Sequence, residues 1–125
     1  MCKYDSKCLC HGGKMGRLLT PAILLLLAEE ASHGYELADR YQKLGLTEAD
    51  SDVGAIYRTL KSLEKERFVK FSWETRSQGP AKKVYHITPE GRNLLNDWAK
   101  EISFRREKLD RFLDRVKKLA PDLKN

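Results

Sequence analysis

The sequence lacks an apolar run of about 18 residues or more, which a transmembrane helix requires. The apolar segment at residues 22–28 (AILLLLA) follows Pro21 and is closed by Glu29 and Glu30. No small-residue cleavage site of the kind that ends a signal peptide follows it. We therefore expect a cytoplasmic protein without membrane contacts, in which this segment forms a buried helix.

The sequence also lacks the usual signatures of an enzyme. No Ser/His/Asp or Cys/His pairing falls on the predicted helices and strands, and no glycine-rich loop fits a phosphate-binding fingerprint. The three histidines, His11, His33 and His86, are scattered along the chain. His33 precedes a predicted helix, a position more typical of a structural residue than of a catalytic one. These observations argue against catalytic activity.

Cysteine is scarce, and the three thiols precede residue 11. An odd number argues against a disulfide framework. Three thiols and an imidazole could supply four zinc ligands. The spacing C-x5-C-x-C-H is unusual, however, and the adjacent Cys10 and His11 are too close together to bind one ion easily. A metal shared between two chains would relieve the crowding. Residues 1–17 are thus predicted to be a flexible tail without a site, or a metal or redox site formed by Cys2, Cys8, Cys10 and His11.

The composition favours an anionic partner. The 125 residues carry 24 Lys and Arg against 18 Asp and Glu, a formal charge of +6, with a pI of about 9.3. An apolar content of 41% is enough for a modest core. We therefore expect one domain, with room for an oligomerisation helix, and an anionic partner such as nucleic acid or a membrane surface.

Residues 51–69 (SDVGAIYRTLKSLEKERFV) carry the main functional signal. Apolar residues recur every three or four positions, which predicts a helix with one buried face: Val53, Ile56, Tyr57, Leu60 and Leu63. Ser51 or Asp52 can cap its start. The opposite face is small at one end and basic further along, which suits the major groove of DNA; the alternative is a solvated face. It comprises Ala55, Arg58, Thr59, Lys61, Ser62 and Lys65.

Two helices are predicted before this segment and two strands after it. Thr20-Pro21 starts the first helix, with Pro21 at its first position, and Gly45 ends the second, which spans residues 34–44. The strands cover residues 69–74 and 84–88, because apolar and polar residues alternate there. The sequence thus predicts a mainly α winged helix–turn–helix with a small β-wing over residues 18–88. The turn at residues 75–83 is basic and would lie near phosphates or a minor groove, through Arg76, Lys82 and Lys83.

A long helix is predicted over residues 89–120, starting at Thr88-Pro89. Its apolar residues approach a heptad spacing, in which Arg105 is the one polar member. Such a stripe requires a partner helix, so we expect a homodimer; the alternative is a helix folded back on its own domain. The predicted interface consists of Leu95, Trp98, Ile102, Leu109, Phe112, Val116 and Leu119.

From residue 18 to about residue 119 the chain resembles PadR-family transcriptional regulators. The resemblance rests on LLTPAILLLLAEE, HGYEL, GAIYRTLKSLEKERFV and GPAKKVYHITPEGR, in this order, followed by the long helix. It implies a dimeric repressor that binds double-stranded DNA, requires no cofactor, and is released by a small aromatic or hydrophobic inducer. Arg58 stands where much of the family has proline. This departure, with GPAKKVY, resembles a polyhydroxybutyrate-responsive subgroup.

The resemblance also implies roles for particular residues. Tyr35 and Tyr57 would contact the phosphate backbone, and the outer face of the helix at residues 55–62 would face the bases. Trp98 would stack on an inducer, although a tryptophan on an apolar stripe is more often interface core. Two other functions stay open: a winged helix that binds an acidic protein, and a regulator that senses metal or oxidation through the N-terminal cysteines.

Overall fold

The computed structural model describes residues 18–46, 53–75 and 79–119, and these residues form four helices and three short strands. The mainly α fold with a small β-wing and a long C-terminal helix is as predicted. The described residues divide after Leu95 into two compact units. In chain order the elements are α1 (Leu19–Glu29), β1 (Ser32–His33), α2 (Gly34–Leu44), α3 (Val53–Lys65), β2 (Val69–Glu74), β3 (Lys82–Ile87) and α4 (Pro89–Leu119).

Helix α1 is at the centre of the first unit because nearly all of its surface is apolar. It contacts α2, α3 and β3, and Ile23 and Leu24 have no exposed surface. The guanidinium of Arg40 in α2 donates hydrogen bonds to the carbonyls of Leu26 (2.8 Å) and Glu30 (3.2 Å). The Glu30 carbonyl lies at the helix C-terminus, where the helix supplies no donor of its own. The Leu26 carbonyl also accepts a hydrogen bond from the N–H of Glu30 (3.0 Å).

The predicted start of α1 was two residues late. Pro21 is the third helical residue and not the first, because the first backbone bond of the helix runs from Ala22 N–H to the carbonyl of Leu18 (2.9 Å). Pro21 still falls within the first turn, where backbone N–H groups have no partner inside the helix. The missing N–H therefore costs the helix no hydrogen bond.

Helices α2 and α3 form the helix–turn–helix and pack against each other. Helix α2 has the predicted bounds, and Gly45 ends it in the left-handed conformation with φ of 77°. In α3, Ile56, Leu60 and Leu63 are buried as predicted. The prediction that Val53 and Tyr57 also face inward was wrong, since they are 49% and 42% exposed. The caps predicted at residues 51 and 52 lie outside the described residues.

The sheet is antiparallel with the strand order β1-β3-β2. Strand β1 was not predicted, and it pairs Ser32 with Tyr85 and His33 with Val84. Strand β3 begins at Lys82, two residues earlier than predicted, because Lys82 pairs with Glu74 at the end of β2. The two lysines expected in the turn, at positions 82 and 83, therefore lie on a strand, which fixes the side of the sheet that each one occupies.

Helix α4 begins as predicted at Thr88-Pro89. The hydroxyl of Thr88 accepts a hydrogen bond from the N–H of Gly91 (3.0 Å) and lies 2.7 Å from the carbonyl of Arg67, to which it can donate. A Cβ on Gly91 would collide with the carbonyl of Phe68, so only glycine allows this close approach. The helix start is thus fixed to the turn between α3 and β2.

The second unit is the remainder of α4, from Asn96 onward. Several large apolar side chains there face solvent: Phe104, Leu109, Phe112, Leu113 and Leu119 are all more than half exposed. Arg105 lies 3.6 Å from the carboxylate of Glu101, one turn earlier. Among the described helices, none is both long and apolar enough to cross a membrane.

Candidate nucleic-acid interface

The outer face of α3 has the character that the sequence predicted. Arg58 and Lys61 are exposed and three positions apart, so they project from the same side of the helix. Ala55, Thr59 and Ser62 are half-buried and small. Small residues beside two cations allow a helix to approach a polyanion closely while the long side chains reach outward.

Tyr35 and Lys82 connect α2 to the wing. Tyr35 is the second residue of α2 and is 54% exposed. The ammonium of Lys82 donates a hydrogen bond to the hydroxyl of Tyr35 (3.2 Å) and lies 5.4 Å from the centroid of the Tyr35 ring. Two residues that the sequence analysis assigned to DNA, 47 positions apart in the chain, therefore form one contact. Their roles remain predictions.

Tyr57 lies at the same surface, because its ring packs against Gly34 at the start of α2. A Cβ built on Gly34 would lie only 2.5 Å from Cε1 of Tyr57 and 2.9 Å from its hydroxyl oxygen. Carbon atoms in normal contact are about 3.5–4.0 Å apart. The missing side chain at the first position of α2 thus makes room for the Tyr57 ring, which brings α3 next to Tyr35.

His33 is the residue that the sequence analysis underestimated. Its ring stacks on Tyr35, with centroids 5.4 Å apart and an interplanar angle of 2°. Its Nδ1 lies 2.9 Å from a carboxylate oxygen of Glu36, and its Nε2 lies 2.9 Å from one of Glu74. The HGYEL motif was the available signal, but Glu74 is 41 positions away, so the sequence did not indicate the second contact.

Hydrogen bonding lowers the pKa of the Glu36 carboxyl. The largest cause is the backbone N–H of His33, which donates to Glu36 Oε1 at 3.1 Å. The His33 ring and the Ser32 hydroxyl also favour the ionised form, and partial burial opposes them. Glu36 is therefore a carboxylate at neutral pH, and its charge lies beside the imidazole.

Lys83 lies apart from Lys82, since neighbouring residues on a strand point to opposite faces. Its ammonium is 4.3 Å from the ring centroid of Phe71 and 6.0 Å from that of Trp73, which is 58% exposed. Farther along this face, burial raises the pKa of Tyr85, helped by the nearby Glu64 and Tyr57. Arg76, the third cation predicted in the wing, lies outside the described residues.

The residues predicted to form a dimer interface differ widely in exposure. Trp98 is 6% exposed, and its indole Nε1 has no hydrogen-bond partner among the described residues. Leu95, Ile102 and Val116 are half-buried, whereas Leu109 and Phe112 are 54% and 64% exposed. Their role in dimerisation stays a prediction.

A metal site is not formed within the part of the chain that the structure describes, which contains no group of three or more His, Cys, Asp or Glu side chains suited to an ion. The predicted cluster of Cys2, Cys8, Cys10 and His11 falls outside that part. Both hypotheses for it therefore stay open.

A helix–turn–helix followed by a two-stranded wing defines the winged helix–turn–helix class. Comparison with known proteins identifies the family: the profile of the "Transcriptional regulator PadR-like family" matches residues 23–97. The chain belongs to the PadR-like family of transcriptional regulators, whose members are not enzymes.

Individual relatives agree with this assignment. The "probable transcriptional regulator Rv1176c" of Mycobacterium tuberculosis is 39% identical over 83 residues, which are 66% of this chain and 44% of that protein. The chain thus spans less than half the length of this relative.

Solved structures have the same fold. The potential transcription factor TM0937 superposes with a TM-score of 0.73 at 35% identity, over 81% of this chain and 89% of the other. Bacillus subtilis PadR, solved in complex with operator DNA, gives a TM-score of 0.59 at 32% identity, over 66% of this chain and 47% of that one.

Proposed function

We propose that the chain binds specific sequences of double-stranded DNA and represses transcription, using the outer face of α3 together with Tyr35 and Lys82. The observation that carries the proposal is the contact of Lys82 with Tyr35, together with the approach of Tyr57 to Gly34. Three separate elements thereby form one basic and aromatic surface. The complex of Bacillus subtilis PadR with operator DNA supports DNA as the partner.

The surface contains groups suited to two kinds of contact. The phenol hydroxyls of Tyr35 and Tyr57 and the ammonium of Lys82 are hydrogen-bond donors for phosphate oxygens, which position a protein without selecting a sequence. Arg58 and Lys61 are long enough to reach base edges from a helix in the major groove, where a bidentate arginine favours guanine. Sequence preference is therefore assigned to α3 and register to the tyrosines and the wing.

Binding to DNA is tested with a duplex selected by the protein from a randomised pool, and a scrambled duplex of the same composition as the control. We expect the selected duplex to bind more tightly and both affinities to fall steeply with salt, as counterions are released. Equal, weak binding to both duplexes would contradict the proposal. It would favour the alternative in which this face binds an acidic protein.

We further propose that the second unit dimerises through the exposed apolar side chains of α4. Leu109, Phe112 and Leu119 lie close to one stripe of the helix and are 54%, 64% and 86% exposed. Burying such side chains against a second copy removes apolar surface from water at about 25 cal/mol per Å². The occupant is a second copy of this chain because a near-heptad stripe suits an identical helix.

Leu109→Asp tests the dimer, because a buried unpaired carboxylate costs several kcal/mol. The matched control is Arg111→Asp, which places the same side chain on the opposite side of α4, since two residues advance a helix by about 200°. Light scattering should give a dimer for wild type and Arg111→Asp and a monomer for Leu109→Asp. A dimer in all three proteins would remove this helix face as the interface.

We also infer that Trp98 contacts an inducer that releases DNA. Its buried indole N–H has no hydrogen-bond partner among the described residues, and buried donors usually have one. Trp73→Phe leaves Trp98 as the one remaining tryptophan of the two in the chain. We expect the aromatic probe anilinonaphthalene sulfonate to quench the fluorescence of Trp98 and to release the selected duplex from the protein. Quenching without any change in DNA affinity would contradict a role as inducer site.

A further inference from the structure

We propose that His33 is a positioning residue of the DNA interface, whose imidazole ring bridges the start of α2 to the end of β2 and thereby holds Tyr35 and the wing in one arrangement. The proposal rests on the DNA-binding function proposed above. It assigns to the His33–Glu36–Glu74 bridge a role that neither the fold nor the family assignment specifies.

The bridge adds a side-chain contact between α2 and β2, which are otherwise linked through β1 and β3. Glu36 is in the first turn of α2, and Glu74 is the last residue of β2, where the chain leaves the sheet for the tip of the wing. His33 contacts both carboxylates at 2.9 Å, and its side chain is only 17% exposed. The wing is thus tied to the helix–turn–helix on the side where Lys82 meets Tyr35.

The geometry also relates the bridge to the protons that the imidazole ring carries. A carboxylate can only accept hydrogen bonds, and a neutral imidazole has a single N–H. Both contacts are therefore hydrogen bonds only when both ring nitrogens carry protons. If one ring nitrogen loses its proton, its lone pair faces a carboxylate oxygen and repels it. The bridge then opens at that end.

The other groups around the ring reinforce this arrangement. The backbone N–H of His33 and the hydroxyl of Ser32 also donate to Glu36 Oε1, at 3.1 and 3.2 Å, which holds that carboxylate in place. From β3, Lys82 reaches Tyr35, on which the His33 ring stacks. Among the described residues, the charged groups placed around His33 are two carboxylates, on α2 and β2, and the ammonium of Lys82 beyond the tyrosine.

His86 provides a matched control. It lies on β3 two residues from Val84, the pairing partner of His33, and therefore on the same face of the sheet. Its Nε2 contacts the hydroxyl of Ser72 on the neighbouring strand at 3.1 Å. His86→Gln removes an imidazole from this face and leaves the bridge between β2 and α2 intact.

The experiment measures affinity for the selected duplex, at constant salt and from about pH 6 to about pH 8, where histidine changes charge. The proteins are wild type, His33→Gln, Glu74→Gln, the double variant and His86→Gln. We expect wild-type affinity to fall as the pH rises. At the acidic end each single bridge variant should bind about fivefold to tenfold more weakly, because a preorganised surface is lost. Their pH profiles should be flat.

The double variant separates a bridge from two independent effects. If His33 and Glu74 act through their mutual contact, the double variant should bind no more weakly than either single variant. A profile of His33→Gln that matches that of His86→Gln, while wild type still binds the duplex, would overturn the bridge and leave the proposed function standing. Failure of wild type to bind any duplex would overturn both.

A measurement on the free protein checks the bridge without DNA. In imidazole ¹⁵N–¹H spectra, Glu74→Gln should shift the His33 ring signals and leave those of His86 in place. Unchanged His33 signals would overturn the bridge even if the Glu74 variant had reduced DNA affinity. This arm also shows whether each variant is folded.

Discussion

Gly34→Ala is expected to weaken DNA binding while leaving the stability of the fold nearly unchanged. The added methyl would lie 2.5 Å from Cε1 of Tyr57, whereas normal carbon contacts are about 3.5–4.0 Å. The Tyr57 ring must therefore retreat by about 1 Å or more. It can do so because Tyr57 is 42% exposed, so the clash is relieved by moving a side chain of the proposed interface and not by opening the core.

The terms in the free energy of unfolding nearly cancel. Alanine in place of glycine at a position with compatible backbone stabilises by about 0.4–1 kcal/mol, because the unfolded chain loses freedom. A Tyr57 ring pushed from its preferred rotamer costs about 0.5–1.5 kcal/mol, which offsets that gain.

The effect on DNA binding is larger. A lost hydrogen bond to a charged phosphate costs about 1.5–3 kcal/mol, so affinity for DNA should fall about tenfold to a hundredfold.

Gly45→Ala is the control, since Gly45 has φ of 77° and a Cβ added there would meet no atom of the described residues within 4 Å. It should destabilise the fold by about 1–2 kcal/mol, the cost of a left-handed backbone for a residue with a side chain, and leave DNA affinity unchanged. Urea unfolding and duplex titration are measured for both variants. Normal DNA affinity in Gly34→Ala would refute the placement of Tyr57 at the interface.

Two further predictions concern the helix starts. Thr88→Val keeps the side-chain shape but removes the cap on Gly91 N–H, so urea unfolding should show a loss of about 0.5–2 kcal/mol; an unchanged midpoint would show that the cap contributes nothing. Glu36→Gln should lower the melting temperature at about pH 7 and approach wild type near about pH 3. The sign follows because the pKa of Glu36 in the folded protein lies below its ordinary value. The stability that Glu36 contributes is therefore complete above the ordinary pKa, and it is lost as the pH falls through the depressed pKa of the folded protein. A constant difference at all pH values would contradict this.

Local sequence signals predicted the helices well and the sheet less well. The bounds of α2 were correct because Ser32-His33-Gly34 marks its start and Gly45 directly follows its end. The start of α4 was correct because Thr88-Pro89 is a local cap. Strand β1 was missed because its two residues form a strand only by pairing with β3. That pairing is a tertiary contact, which no periodicity within residues 32–33 could reveal.

The candidate site was predicted in part, for the same reason. The basic outer face of α3 followed from helical periodicity, and Arg58 and Lys61 are exposed as that pattern indicated. Tyr57 was placed on the buried face because it continues the apolar stripe, but its ring lies against Gly34 at the edge of that stripe. The contacts of His33 with Glu74 and of Lys82 with Tyr35 join residues more than 40 positions apart, so they required the folded structure.

The central claim is that α3 and the wing bind DNA, and one salt titration tests it most directly. The affinity of wild type, Arg58→Ala and Lys82→Ala for the selected duplex is measured at several salt concentrations. Arg58→Ala should cost about 1–3 kcal/mol on that duplex and relax the preference at one base step. Lys82→Ala should weaken selected and scrambled duplexes equally and lower the salt slope by about one unit. Full affinity for the selected duplex in both variants would contradict the claim.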